Sequence, residues 1–216
     1  MNTALTPDTE AALVTACFAQ IGASGWARLN IPAAARDAGL GLDVARRVLP
    51  DRCALLLRFG ALADAHALRD APEDGPTRDR LFDLVMRRID FLQMHRHGVV
   101  ALLRALPFDP PSALLLAGAS LRSMGWLLAG AGITAAGGPI GGGLQAAGLL
   151  AVWGWTVRAW GRDTTDDLAA TMAALDRALD RAEHAAGWLD RRARVGSAPE
   201  TPPHDTAAVT PQEQEP

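Results

Sequence analysis

The stretch Asn30–Leu56, NIPAAARDAGLGLDVARRVLPDRCALL, decides how the chain is read. It predicts a helix, a glycine turn, a second short helix and the start of a third. Gly39 is the pivot, because glycine reaches the φ > 0 turn without steric cost. Ala35 stands four residues before it and Leu40 directly after it, with Ala45 and Val48 six and nine residues beyond. That is the spacing of a helix-turn-helix. A small Ala35 lets the second helix cross closely, and Leu40, Ala45 and Val48 wedge the pair together. In a DNA-binding unit of this kind the second helix enters the major groove. Here it is expected over 42–49, exposing Asp43, Arg46 and Arg47.

Towards the N-terminus, Leu13, Cys17 and Ile21 recur at helical spacing, joined by Val14 and Phe18. Thr6 or Asp8 is the expected cap of that helix and Gly22 its end. Asn30 caps the next helix, whose first turn tolerates Pro32. Towards the C-terminus, Asp51 caps a helix to Leu68 with Cys53, Leu56, Leu57 and Gly60 facing inward. RDAPEDGPT, Arg69–Thr77, then breaks helical periodicity.

Beyond the break, Leu81, Leu84, Val85, Ile89 and Leu92 form an apolar stripe opposite Arg80, Arg87 and Arg88. Gly98 reads as a bend, followed by a helix to Leu106. Ser112–Gly130 is helical and apolar nearly all round. Ala131–Gly143, AGITAAGGPIGGG, reads as a flexible connection, Leu144–Trp160 as a second apolar helix, and Thr165–Arg194 as a long Ala-rich final helix. The implied organisation is a helix-turn-helix unit over 1–68, a linker over 69–77, a larger helical unit over 78–194 and a tail over 195–216 that is disordered by composition. The fold class is all-α.

The chain has 216 residues, of which 49% are hydrophobic, enough for a sizeable core, and a formal net charge of −3. A local basic face is compatible with that balance. The basic side chains are Arg throughout, with no Lys and no Tyr, a bias of GC-rich coding that carries little functional weight. Cys17 and Cys53 sit in different helices among apolar neighbours and are expected as buried small hydrophobes. With no disulfide framework and no signal-peptide pattern, a cytoplasmic location is expected. A transmembrane hairpin is disfavoured by Arg122 in the first apolar helix and by the shortness and Arg158 of the second. No GxSxG, HExxH or GK[ST] phosphate loop is present, and GGPIGGG lacks a preceding strand. The expectation is therefore no enzyme, no cofactor and no metal. His95 and His97, two residues apart on a helix, point to different sides.

A short helix-turn-helix unit, a Pro/Gly break and a larger helical unit resemble the TetR family. AARDAGLGLDVARRVLPDRCALL is similar to that family's run of an Ala-rich helix, a glycine and a recognition helix, with Pro50 and Arg52 introducing the fourth helix. The resemblance implies a homodimer through helices 144–160 and 165–194, a ligand cavity in the C-terminal unit, and operator DNA as partner. Two departures stand out. The recognition helix begins Gly41-Leu42-Asp43 in place of Ser or Thr, and Arg46 stands where the family carries Tyr. Gly25-Trp26 and AWGRDTTDDLAATMAALDR resemble instead the TetR-fold lipid-binding accessory protein of ubiquinone (coenzyme Q) biosynthesis, which implies a non-DNA lipid binder with peripheral membrane association.

The candidate DNA-facing residues are Arg36, Gly41, Asp43, Arg46, Arg47 and Arg52, the arginines as phosphate contacts and Asp43 as an acceptor for a cytosine amino group. The alternative for the charged ones is solvated or mutually paired helix charge. For a hydrophobic or lipid-like ligand, Phe82, Met86, Phe91, Leu115, Met124, Trp126 and Trp153 are the candidates to line a pocket between helices. Ordinary core packing is the competing reading for each. Arg122, inside an apolar run, is expected to be buried against Asp83, Asp90 or an anionic ligand.

Overall fold

The computed structural model describes residues 7–71, 73–133 and 138–196, and these residues contain helices and turns but no strand. The helices are α1 Pro7–Ser24, α2 Ile31–Asp37, α3 Leu42–Val48, α4 Arg52–Leu68, α5 Thr77–Met94, α6 Arg96–Ala105, α7 Pro110–Gly130, α8 Gly138–Trp160 and α9 Ala169–Gly196. Short 3-10 turns at Trp26–Arg28 and Leu106–Phe108 lead into α2 and α7. One compact unit extends to Ala182, and the described residues from Glu183 to Gly196 belong to a second.

α1 buries Leu13, Val14, Cys17, Phe18 and Ile21, the stripe its spacing predicts. It continues through Gly22 to Ser24, and the turn falls at Gly25, whose φ is 88°. Gly22 is a contact glycine and not a terminator: a Cβ there would come within 3.0 Å of the His97 Cβ on α6. Gly98 plays the reciprocal part. A Cβ on it would overlap the Phe18 carbonyl, so α1 and α6 lie together only because both positions lack side chains. The bend expected at Gly98 falls instead at His95, with φ −117° between α5 and α6.

Asp51 caps α4 by accepting from the Ala54 N–H at 2.8 Å. The inward face is Leu55, Leu56, Phe59, Ala63 and Ala67. Cys53 and Leu57 are exposed, correcting the expected register. The reason is an aromatic centre that fixes the helix rotation. Phe59 stacks on Phe18 at 3.9 Å between centroids, meets Phe91 at 5.2 Å, and packs edge-on against His95. Burial among these rings pushes the His95 pKa down.

The break at 69–77 turns the chain through Asp70 (φ 51°) and Gly75 (φ 92°). Helices from both sides of it share one core, with α4 against α5 and α7 and α1 against α6. Asp109 caps α7 through the Ser112 N–H and also accepts from the Trp26 indole at 2.8 Å. This ties the entry of α2 to the start of α7. The glycine-rich connection is shorter than expected. Residues 138–143 are already the first turns of α8, with Pro139 where a helix start accommodates it, while 134–137 lie outside the described residues. α9 starts at Ala169 and not at Thr165, because Asp163 and Thr165 are engaged in the connecting turn. Val195 and Gly196 are still helical, and the rest of the predicted tail lies outside the described residues.

Candidate functional site

The helix-turn-helix frame forms from local chemistry. Asn30 caps α2 by accepting from the Ala33 N–H at 3.0 Å. Gly39 adopts φ 68°, and the Leu40 N–H closes the turn on the Ala35 carbonyl at 2.8 Å. Ala35, Ala45 and Val48 are buried, with Leu40 half-buried against them. Gly41 is the N-cap of α3 in an extended conformation.

On α3, Asp43, Arg46 and Arg47 are exposed, as is Arg36 on α2. They are not equally available. Arg47 pairs with Asp43 at 3.1 Å within the helix, and Arg46 donates to the Pro50 carbonyl at 2.7 Å. Arg52 turns inward. It donates to the Ala27 and Leu29 carbonyls, and its guanidinium lies 5.5 Å from the centre of the Trp26 ring. It thus braces the entry to α2 more than it extends the outer face.

Of the eight residues marked for a ligand, Trp153 lines the groove between α6, α7 and α8, and the others pack in the core or lie exposed. Phe82, Met86 and Leu115 are half-buried packing, and Phe91 and Met124 are core. Trp126 is 66% exposed. Arg122 is also exposed, correcting the expectation of a buried arginine, because α7 turns that face outward. The two acids proposed for it go elsewhere: Asp83 pairs with Arg87 at 2.7 Å, and burial pushes the Asp90 carboxyl pKa up.

The buried cation is Arg88, 4% exposed. Its Nε lies 3.0 Å from the Asp64 carboxylate, and its guanidinium lies 4.4 Å from the centre of the Trp153 ring. Ser123 donates to Asp64 at 2.5 Å. Burial pulls the Arg88 pKa down and pushes the Asp64 pKa up, each opposed by the attraction between them. This corrects the expectation that Arg88 stands opposite the apolar stripe of α5: position 88 lies seven residues after Leu81 and is buried with that stripe. That register was the available sign of its burial.

Trp153 also faces a groove of about 610 Å³ between α6, α7 and α8. Its walls include Leu103, Leu116, Leu150 and Val157, and its polar edge carries Arg104, Arg158 and Arg162. Two of these arginines lie in the last turns of α6 and α8, where the helix dipole favours a cation. No family model matches the chain, and no curated protein matches it. Among solved structures, it is similar to the TetR transcriptional regulator from Nitrosomonas europaea ATCC 19718, with a TM-score of 0.66. The match has 18% identity and covers 81% of this chain and 97% of the other.

The chain has the TetR fold. The all-helical class read from the sequence is therefore the observed one. Two parts of this TetR-fold chain escaped sequence reading. One is the groove, whose Arg104 lies far along the chain from Arg158 and Arg162. The other is Asp163, which is 5% exposed and accepts from the Thr165 and Thr171 hydroxyls, each at 2.7 Å. The DTTDDLAAT pattern signals it only as a cap. Among the described residues no three His, Cys, Asp or Glu side chains converge as a metal site would require.

Proposed function

We propose that the protein is a ligand-responsive transcriptional regulator that binds double-stranded DNA, with residues 1–68 as the reading unit and 78–194 as the ligand-binding and dimerisation unit. The observation that carries this reading is the outward face of α3 on a helix-turn-helix closed at Gly39. Arg36, Arg46 and Arg47 supply phosphate contacts on that face, and Asp43 sits at its reading end. A homodimer would present two such faces to half-sites one DNA turn apart. Supporting the dimer, α8 carries an outward strip of Leu144, Ala147, Ala151 and Trp155, with Leu144 62% and Trp155 52% exposed. A bound effector would shift the spacing of the two reading units by favouring one conformation.

The test is binding to the DNA flanking its own gene across a salt series. Sequence-specific binding that weakens with salt is the expected result. Arg46→Glu/Arg47→Glu should abolish it while leaving the fold intact. A well-folded dimer that shows no specific binding at any salt would overturn the reading.

A second reading has its own observation. The Asp43–Arg47 pair and the Arg46–Pro50 bond occupy two of the cations that phosphate would need. A TetR-fold lipid binder without DNA activity, similar to the ubiquinone-biosynthesis accessory protein, has no need of them. Extraction of an isoprenoid lipid from the purified protein would favour it.

A further inference from the structure

We propose that the groove between α6, α7 and α8 binds an anionic amphiphile. Its chain would lie on Leu103, Leu116 and Trp153, and its carboxylate or phosphate at Arg104, Arg158 and Arg162. This deepens the ligand-responsive part of the reading above by naming the class of effector, and it does not depend on DNA binding.

Three observations carry it. First, the groove has the dimensions of a small-molecule site, about 610 Å³ against roughly 300–1,000 Å³ for typical ligand pockets. Second, its charge has one sign. Three guanidiniums line it and no carboxylate does, and none of the three is ion-paired among the described residues. Three like charges in one partly apolar groove repel one another, and an anion relieves that repulsion while gaining charge-assisted hydrogen bonds. Third, one wall is braced. Trp153 is sandwiched between the groove and the buried Arg88 guanidinium, so the indole is held in place before any ligand arrives.

The same placement gives the occupant a mechanical handle. α6 turns Leu103 and Arg104 to the groove, while its Gly98 abuts Phe18 of α1. A chain wedged against α6 therefore bears on the helix that supports the reading unit.

The test uses the full chain and titration calorimetry below the micelle concentration. Dodecanoate and dodecyl phosphate should bind saturably. Dodecanol and dodecyltrimethylammonium should bind at least about tenfold more weakly. Arg104→Gln/Arg158→Gln/Arg162→Gln should remove that preference with an unchanged circular dichroism spectrum. Gly154→Leu is the second variant. A side chain there enters open space within the groove, so the protein should fold and lose binding of every amphiphile.

Co-sedimentation with phosphatidylglycerol vesicles, compared with phosphatidylcholine, separates a lipid headgroup from a free amphiphile as the source. Loss of vesicle binding in Gly154→Leu assigns the lipid. No preference for the anions overturns the proposal, as does unchanged affinity in Gly154→Leu. A change of oligomeric state in Gly154→Leu without any amphiphile binding to the parent also overturns it, by making the groove an interface between copies. Dodecanoate binding without operator binding refutes only the regulator reading, and the converse refutes only the groove.

Discussion

The Arg88 guanidinium lies over Trp153, 4.4 Å from the ring centre, with the Asp64 carboxylate 3.0 Å from its Nε. A cation this deeply buried persists because an acid and an aromatic face replace its water. Removing one partner leaves the other charge uncompensated. Arg88→Ala should lower unfolding free energy by about 3–5 kcal/mol in urea titrations. Arg88→Met with Asp64→Asn should recover much of that loss, since the double variant buries no lone charge. Equal destabilisation of the single and double variants would mean the charges are not coupled.

Gly98 and Gly154 should respond oppositely to a methyl group. At Gly98 the Cβ meets the Phe18 carbonyl, so Gly98→Ala forces α1 and α6 apart and should cost about 1–3 kcal/mol. At Gly154 no atom lies within 4 Å of the added Cβ. Gly154→Ala should be neutral or stabilise α8 by roughly 0.5–1 kcal/mol, the helical advantage of alanine. Thermal melts of the two variants give the comparison directly.

Asp43 holds Arg47 on the outer face of α3. Asp43→Asn frees that guanidinium and removes a negative charge near the reading end. Under the regulator reading, non-specific DNA affinity at low salt should rise. The slope of log K against log salt should steepen by up to about 0.9, the value of one further phosphate contact. An exposed i,i+4 pair is worth only about 0.3–0.5 kcal/mol, so stability should barely move.

Asp163 gives the fold an acid-sensitive joint. The Thr165 hydroxyl, followed by the Thr171 hydroxyl and the backbone N–H groups of both residues, holds its carboxyl well below the usual Asp range. A depressed native pKa stabilises the fold above the unfolded value of about 3.9. That contribution fades as pH falls from there towards the native value. Stability measured by denaturant titration should therefore decline below about pH 4. Asp163→Asn should be less stable by about 1–3 kcal/mol at neutral pH, with a shallower acid decline.

Much of this was legible in order along the chain. Gly39 with Ala35, Leu40, Ala45 and Val48 determined the helix-turn-helix, because glycine at φ > 0 and small-to-large packing are local requirements. The Leu13–Ile21 stripe, the Asn30 and Asp51 caps and the break at 69–77 follow from the same short-range rules. Helical spacing states that a face is buried, but its rotation is set by what lies opposite. The Phe18–Phe59 stack turned Cys53 outward, and the placement of α7 exposed Arg122 and Trp126.

By itself the sequence determined the helical class and the geometry of the helix-turn-helix, since each depends on residues within a few turns of one another. Only the tertiary structure decided that Arg88 is the buried cation and that Arg104, Arg158 and Arg162 share one groove. Those relationships join α4 to α5, α7 and α8, and α6 to α8. No local propensity records which distant helices will pack together.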